Sequence, residues 1–315
     1  MKDSRNHCPV ASVTVTYNPD LAILESQLNA LPQGCLRIIV DNSSRPELLS
    51  AIKALAAELP NTRVLMNEHN LGLAAALNRG VKAAADLSPP PRFALLLDQD
   101  SEPVAGSVER LVDAFVWLER EGLSVGCVGP TLLDHATELT HGFHQCTRWR
   151  WKRMHPPRNS TEPVECANLN GSGTLVPINL FAGLGGLDED LFIDHVDTEW
   201  AFRIIAAGYG LWGIPDAVFR HRMGQDSIRF WLFGWRIWPY RSPQRNYYLF
   251  RNAMRLHRRT YVPWVWKIWC AVKLSIVFCV HGLFDRQRKA QAKNMLKGVR
   301  DGMRRTGPVQ ETINL

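Results

Sequence analysis

Polar clusters sit where apolar runs end, and that repeated pairing limits the folds open to this chain. Val10 to Thr16 is a short β-branched run that closes on Thr16-Tyr17-Asn18-Pro19. Leu36 to Val40 closes on Asp41-Asn42-Ser43-Ser44, and Phe93 to Leu97 on Asp98-Gln99-Asp100-Ser101. Runs of this length and composition suit buried strands. Further strands are expected at Arg63–Met66, Val125–Val128 and Thr174–Val176. Helical spacing alternates with them at Asp20–Leu31, Pro46–Leu59, Leu71–Ala85 and Val104–Arg120. Such alternation predicts an α/β fold with a mostly parallel central sheet covered on both faces. Ligands bind beyond the carboxyl ends of the strands in sheets of this kind, which is where the polar clusters fall.

The chain has 315 residues, 46% of them apolar and 21% charged, which supports a substantial core and argues against wholesale disorder. Its seven cysteines are scattered singly with no CxxC pair, as a reducing cytosol allows. His141, His144 and Cys146 lack a second cysteine-rich half for a structural zinc site and read as loop residues. Met1 to Asn6 contains no apolar core of a signal peptide, so export is not expected.

Alternation weakens after Pro130. Thr131 to Pro163 reads as a long excursion without clear periodicity, as a functional loop or flap would. Phe181 to Leu187 suggests a short helix and glycine turn. A fourth polar cluster, Asp194-His195-Val196-Asp197-Thr198-Glu199-Trp200, opens a helix expected to run from Glu199 to Ala207 and stop at Gly208.

The net charge is +7, and the excess is concentrated late, in Arg286, Arg288, Lys289, Lys293, Lys297, Arg300, Arg304 and Arg305. Val262 to Phe284 is apolar for most of its length, near the roughly 20 residues that a bilayer span needs. Lys267 and Lys273 lie inside it, each costing on the order of 2.5–3.5 kcal/mol at a bilayer centre. A helix lying on or dipping into the cytosolic leaflet is therefore preferred to a span, the rival being a core helix of a small bundle. Nucleic-acid binding lacks any recognisable module.

Asp98 and Asp100 are separated by one residue, so on a strand end both side chains face the same way and offer a hard oxygen site for Mg²⁺ or Mn²⁺. Asp41 can accept the ring N–H of a pyrimidine, and Asp41, Asn42 or Ser43 can make an Asx-type turn; both can hold at once. At Asn70-Leu71-Gly72, the glycine would let the backbone approach a ligand, ahead of a helix N-terminus that favours negative charge. Asn70 equally suits an N-cap. No GxGxxG follows the first strand, which counts against a nicotinamide dehydrogenase.

Taken together, Thr16-Tyr17-Asn18, Asp41-Asn42-Ser43, Asn70-Leu71-Gly72 through Asn78, Asp98-Gln99-Asp100 and Asp197-Thr198-Glu199-Trp200 through Arg203 resemble the family 2 inverting glycosyltransferases over roughly residues 8 to 255. Asp98-Gln99-Asp100-Ser101 and Phe192 to Trp200 are most similar to bacterial rhamnosyltransferases of cell-surface polysaccharide synthesis. The resemblance implies a GT-A, Rossmann-like fold over residues 1–225 and a helical, membrane-associated region over 226–315. It implies a nucleoside-diphosphate sugar donor, dTDP-L-rhamnose favoured and UDP-galactofuranose or another UDP-sugar the alternative, and a saccharide or lipid-linked acceptor. It implies Mg²⁺ or Mn²⁺ at Asp100, with Asp98 near the ribose or the metal and His221 as a further ligand. Asp41 would read the base with Tyr17 close by, and Thr16, Asn18, Asn42, Asn70, Gly72, Asn78 and Arg251 would join the donor site. Asp197 falls where the family's base belongs, but Val196 replaces the glutamate that usually precedes it, leaving Asp194 and Glu199 as rivals. A catalytically silent nucleotide- or lipid-binding scaffold on the same fold is the reading from another class.

Overall fold

The computed structural model describes residues 8–135, 137–157, 159–221, 227–231 and 235–304, with backbone alone at 227–231 and 235–239. The expectations for Met1 to Asn6 and for Arg305 lie outside them. The chain divides into two compact units. The first holds the described residues of Met1–Gln145, Arg153–Phe192 and Val196–Arg222; the second holds those of Cys146–Lys152, Ile193–His195 and Met223–Leu315.

Strands and helices alternate through the first unit as β1 (Val10–Thr16), α1 (Leu21–Ala30), β2 (Leu36–Asp41), α2 (Pro46–Glu58), β3 (Thr62–Met66), α3 (Leu73–Ala85) and β4 (Phe93–Asp98). The short β5 (Ser101–Pro103) leads to α4 (Ser107–Arg120) and β6 (Val125–Asp134). After β7 (Thr140–His141), β8 (Phe143–Cys146), β9 (Trp151–Met154) and β10 (Val164–Cys166) come β11 (Thr174–Pro177), α5 (Ile178–Gly183), α6 (Val196–Ala206) and β12 (Gly210–His221).

The sheet runs β10-β12-β6-β11-β4-β1-β2-β3, with β5 beside β12 and β7 beside β6. Strands β4, β1, β2 and β3 are parallel, as are β6 and β12, while β11 lies antiparallel between β4 and β6. The β-branched runs of β1 and β2 are almost wholly buried because helices cover both faces. Phe93 and Phe115 meet edge to face at 4.9 Å within a core that includes Leu28, Ile39, Leu95, Leu111 and Phe219.

Local signals account for the helix ends. Asp20 caps α1 by accepting from Ala22 N (3.0 Å) and Ile23 N (3.3 Å). Gly208, at φ +87°, closes α6 as expected. Pro46 starts α2 behind Arg45, and the nearby Ser44 hydroxyl is spent on Asp41 and on Asn18 N–H. Helix α3 lies flush on the sheet at Gly80, where a Cβ would stand 2.2 Å from Val13 Cγ1 and 3.0 Å from Val40 Cγ2.

The expected excursion from Thr131 to Pro163 carries the end of β6 and strands β7, β8 and β9. β6 continues past Pro130 to Asp134, pairing Thr131 to Asp134 with Val218 to His221 of the twelve-residue β12 after a register shift at Ile214/Val218. Pro130 and Pro215 interrupt the local pattern, and only pairing between the two strands carries them onward. His141 lies on β7, and His144 and Cys146 on β8, not in a loop.

In the second unit β13 (Ser227–Trp231) pairs antiparallel with β14 (Trp235–Pro239), a pair that helical expectations missed. Three helices follow: α7 (Pro243–His257), α8 (Trp264–Phe284) and α9 (Arg288–Met303). One face of α8 is buried through Val265, Trp266, Cys270, Leu274, Val277 and His281, while Trp264, Ile268, Trp269, Val272, Ile276 and Leu283 are exposed. The expected bundle contact and the exposed apolar face thus coexist on one helix.

Gly80→Val should destabilise the fold by roughly 1–3 kcal/mol through overpacking against Val13 and Val40. Urea denaturation read by circular dichroism checks this; an unchanged midpoint would contradict the flush packing.

Candidate active site

Parallel pairing brings the polar clusters to one edge. Val15 of β1 is in register with Asp98 of β4, and Thr16 with Asp41 of β2. Tyr17 N–H donates to Gln99 Oε1 at 2.8 Å, tying the tip of β1 to the Asp98–Asp100 turn. Gln27, fully buried on α1, supports that turn from below. Its amide nitrogen donates to Asp98 O (2.6 Å) and to Ser101 O, and its Oε1 accepts from Thr14 Oγ1 (3.0 Å). Sequence reading missed Gln27, since a glutamine inside an amphipathic helix carries no local signal.

His221 reaches the same turn because β5 pairs antiparallel with the end of β12, placing His221 opposite Ser101. Its Nδ1 lies 2.7 Å from Ser101 Oγ and 3.5 Å from Asp100 Oδ1. One ligand atom each from Asp98, Asp100 and His221 falls within 4.8 Å of the others, and all three residues are partly exposed. Two carboxylates and an imidazole fit a divalent cation that keeps open positions for phosphate oxygens.

Other residues expected in the donor site hold the scaffold. Asp41 is 1% exposed; its carboxylate accepts from Thr16 Oγ1 (3.0 Å), Ser44 N–H (2.9 Å) and the Ser44 hydroxyl. This is the expected Asx-type turn, with the carboxylate bonded inside the site. Asn42 donates to Asn70 Oδ1 (2.9 Å) and Gly72 O (3.1 Å) and accepts from Asn67 (2.9 Å) and Leu71 N–H (2.9 Å), so its amide is fully used inside. Asn18 bridges Ser44 and Arg45 through its N–H and Oδ1. Asn70 accepts from Gly72 N–H (2.9 Å). Gly72, at φ +88°, needs to be glycine because a Cβ would stand 2.6–2.8 Å from Phe192. Phe192, not a ligand, fills that space, and its carbonyl accepts Leu73 N–H at 2.6 Å. Asn78 pins the Gly186–Leu187 turn through Leu187 N and O. Tyr17 alone of the β1-tip residues is half exposed.

Three acids compete at the start of α6. Glu199 is buried and held by Arg203 through two parallel contacts, Nε to Oε1 (3.0 Å) and Nη2 to Oε2 (2.8 Å). Asp194, in the second unit, has one oxygen on Arg241 (3.0 Å) and the other on Arg245 (3.2 Å). Guanidinium pairs stabilise carboxylates as anions and weaken them as bases. Asp197 is partly exposed in the first helical turn, and its Oδ1 accepts from Thr198 N–H (2.8 Å). The loop before β11 connects it to the other acids. Ser172 Oγ accepts from Asp98 N–H (3.0 Å), and a Cβ on the neighbouring Gly171 would stand 3.6 Å from Asp197 Cβ. Arg251, on α7, donates Nε to Asn252 Oδ1 (2.9 Å) and stacks over Tyr248 at 4.8 Å.

The backbone approaching α6 is strained. Phe192, Asp194 and His195 have φ of +63°, +63° and +64°. Each such non-glycine residue costs on the order of 1–3 kcal/mol. The His195 ring is buried against Trp266 at 5.5 Å, and burial pushes its pKa down to about 4, so it is neutral near pH 7.

His221→Ala should weaken Mn²⁺ binding by roughly 10-fold or more, read by titration of nucleotide binding against Mn²⁺; unchanged metal dependence would remove His221 from the ligand set. Asn42→Ala should instead lower stability by about 2–4 kcal/mol, because it orphans several buried partners, with thermal melting as the measurement.

A family profile described as "Glycosyl transferase family 2" matches residues 13–181. The dTDP-rhamnosyl transferase RfbF of Shigella flexneri is 30% identical over 258 residues, 81% of either chain. An N-acetylglucosaminyl-diphospho-decaprenol L-rhamnosyltransferase of Mycobacterium tuberculosis is 26% identical over 246 residues, 70% of this chain and 78% of that one. Among solved structures, GalNAc-T7 with UDP, GalNAc and Mn²⁺ superposes at TM-score 0.59 and 18% identity, over 95% of this chain but only 56% of its own. The mannosyltransferase PcManGT from Pyrobaculum calidifontis, with GDP-Man and Mn²⁺, superposes at 0.54 and 16% identity, over 93% and 74%. At such identities the structural likeness speaks to the fold alone, which is GT-A. The profile match and the relative sharing 30% identity across 81% of both chains establish that this chain belongs to glycosyltransferase family 2.

Proposed function

We propose that this glycosyltransferase moves L-rhamnose from dTDP-L-rhamnose, with inversion, onto a lipid-linked saccharide at the cytosolic face of the membrane. The observation that carries the reading is the grouping of Asp98, Asp100 and His221 beside a loop whose next residue meets Asp197. The donor comes from the rhamnosyl relatives; a UDP-sugar such as UDP-galactofuranose is the alternative. The acceptor reading draws on the relative named for N-acetylglucosaminyl-diphospho-decaprenol.

In this mechanism Asp98, Asp100 and His221 would hold Mn²⁺ or Mg²⁺, which when bound supplies positive charge against the donor diphosphate. Asp197 accepts the proton of the acceptor hydroxyl as that oxygen forms its bond to the anomeric carbon. The bond from that carbon to the diphosphate oxygen breaks on the opposite face, and the nucleoside diphosphate leaves with both electrons. Ser101 orients His221 through the 2.7 Å contact, and Gln27 keeps the two carboxylates on one turn. Tyr17, half exposed at the tip of β1, would lie close to the base.

Residues 1–225 would then form the catalytic domain and 226–315 a membrane-associated region. Helix α8 is long and apolar enough to cross a membrane, with mean hydropathy 1.6. Its buried face and the Lys267 ammonium, which donates to Arg259 O at 2.8 Å, favour a helix lying in the interface. Exposed Trp264 and Trp269 suit the headgroup level, and Lys289, Lys293, Lys297 and Arg300 on α9 suit anionic lipid.

Three measurements test the reading. Nucleotide release from a panel of dTDP- and UDP-sugars, with N-acetylglucosaminyl diphospho-polyprenol as acceptor, should be fastest with dTDP-L-rhamnose; a UDP-sugar winning would transfer the proposal to the alternative. Asp197→Asn should lower transfer by about 10²–10⁴-fold with donor affinity kept, and retained turnover would move the base elsewhere. Sedimentation with phosphatidylglycerol vesicles should be lost in Trp269→Ser/Ile276→Ser and weakened by high salt. Binding indifferent to both would end the membrane assignment.

A further inference from the structure

We infer that Asn252, acting with the Arg241–Asp194–Arg245 ion pairs, is a positioning device that sets the backbone on which the base helix begins. The inference rests on Asp197 being the base. Asn252 is fully buried on α7, and it spends both amide protons on consecutive carbonyls, Ile193 O (2.8 Å) and Asp194 O (2.9 Å). Its own Oδ1 accepts Arg251 Nε at 2.9 Å, which fixes the direction of the amide. One side chain therefore holds the two peptide groups that flank Asp194.

Those peptide groups would not stay there unaided. Asp194 and His195 are adjacent L-residues in left-handed backbone, a conformation such residues visit singly if at all. Four side chains pin them. Asn252 takes the carbonyls, Arg241 and Arg245 take one carboxylate oxygen each, and Trp266 packs on the His195 ring. Arg241 is itself anchored. Gln291 donates to Arg241 O (2.8 Å) and to Asp285 Oδ2 (2.8 Å), and it accepts from Asn246 (2.8 Å); Asn246 and Gln291 are fully buried.

Every one of these contacts lies within the second unit, yet the chain they hold runs straight into α6 at Val196. Asp197 follows His195 by two residues. The peptide dihedrals at 194 and 195 therefore set the direction in which the chain enters the buried first turn of α6, which carries Asp197. A base displaced by about 1 Å can lose on the order of 100-fold in rate while the ligand still binds. The device has no reason to affect the Asp98–Asp100–His221 group, which is built on β4, β5 and β12.

The test compares Asn252→Ser, Arg245→Gln and Asp197→Asn, using whichever donor of the panel the wild type turns over. Measured are kcat, donor KM, Mn²⁺-dependent affinity for the nucleoside diphosphate, and thermal melting. Asn252→Ser is expected to lower kcat by roughly 30-fold or more, and Arg245→Gln by several-fold, with donor KM and nucleotide affinity within about twofold of wild type. Parallel loss of donor affinity, or a wild-type kcat in both variants, would overturn the inference. Should Asn252→Ser fail to fold, Arg245→Gln decides by the same criteria, since its half-exposed side chain is removable without opening a cavity. Asp197→Asn separates the two claims: its full activity sinks the base reading and the positioning role together. Its inactivity beside wild-type kcat in the other two sinks the positioning role alone.

Discussion

Two carboxylates two residues apart repel one another, so a turn that presents both must be held by something other than the ion they await. Here the holding group is Gln27. Its buried amide satisfies the carbonyls at both ends of the Asp98–Ser101 turn, and Thr14 on β1 fixes the amide's orientation. Two buried carbonyls without a donor would each cost about 1–3 kcal/mol. With the turn fixed, β5 forms directly after it, and β5 is what draws His221 in from the far end of β12. The proposed metal ligands thus depend on a side chain that touches neither metal nor substrate.

The same economy recurs at the other strand ends. Asp41 and Asn42 sit where an open α/β sheet meets its ligand, yet both are nearly inaccessible and fully engaged. Their work is to build turns beside half-exposed Tyr17 and partly exposed Gln99. Buried polar groups left half-satisfied would be costly, and this site keeps them paired. A donor site can therefore be rigid before any donor arrives, which favours electrostatic work on the leaving diphosphate.

Rigidity also has to reach the base, and there the chain uses strain. Left-handed residues before α6 are tolerated because surrounding side chains over-determine them. Their anchors belong to the unit that also carries the apolar face of α8 and the basic residues of α9.

The sequence alone determined the alternation of strands and helices, the placing of acids at strand ends and the family, because periodicity and short motifs are local properties. It also placed Asp98 and Asp100 on one turn, through the two-residue period of a strand. It left open how deeply Asp41 is buried, and whether Asp194 and Glu199 are held by guanidinium groups. Those questions turn on burial and on partners such as Ser44, Arg203 and Arg241, one of them 47 residues distant. Tertiary structure alone extended β6 past Pro130, filled the space beside Gly72 with Phe192, and brought His221 to Ser101 across 120 residues. Each is a long-range pairing whose partners carry no mark of one another in the chain, since the energy that joins them exists only once both strands are in the sheet.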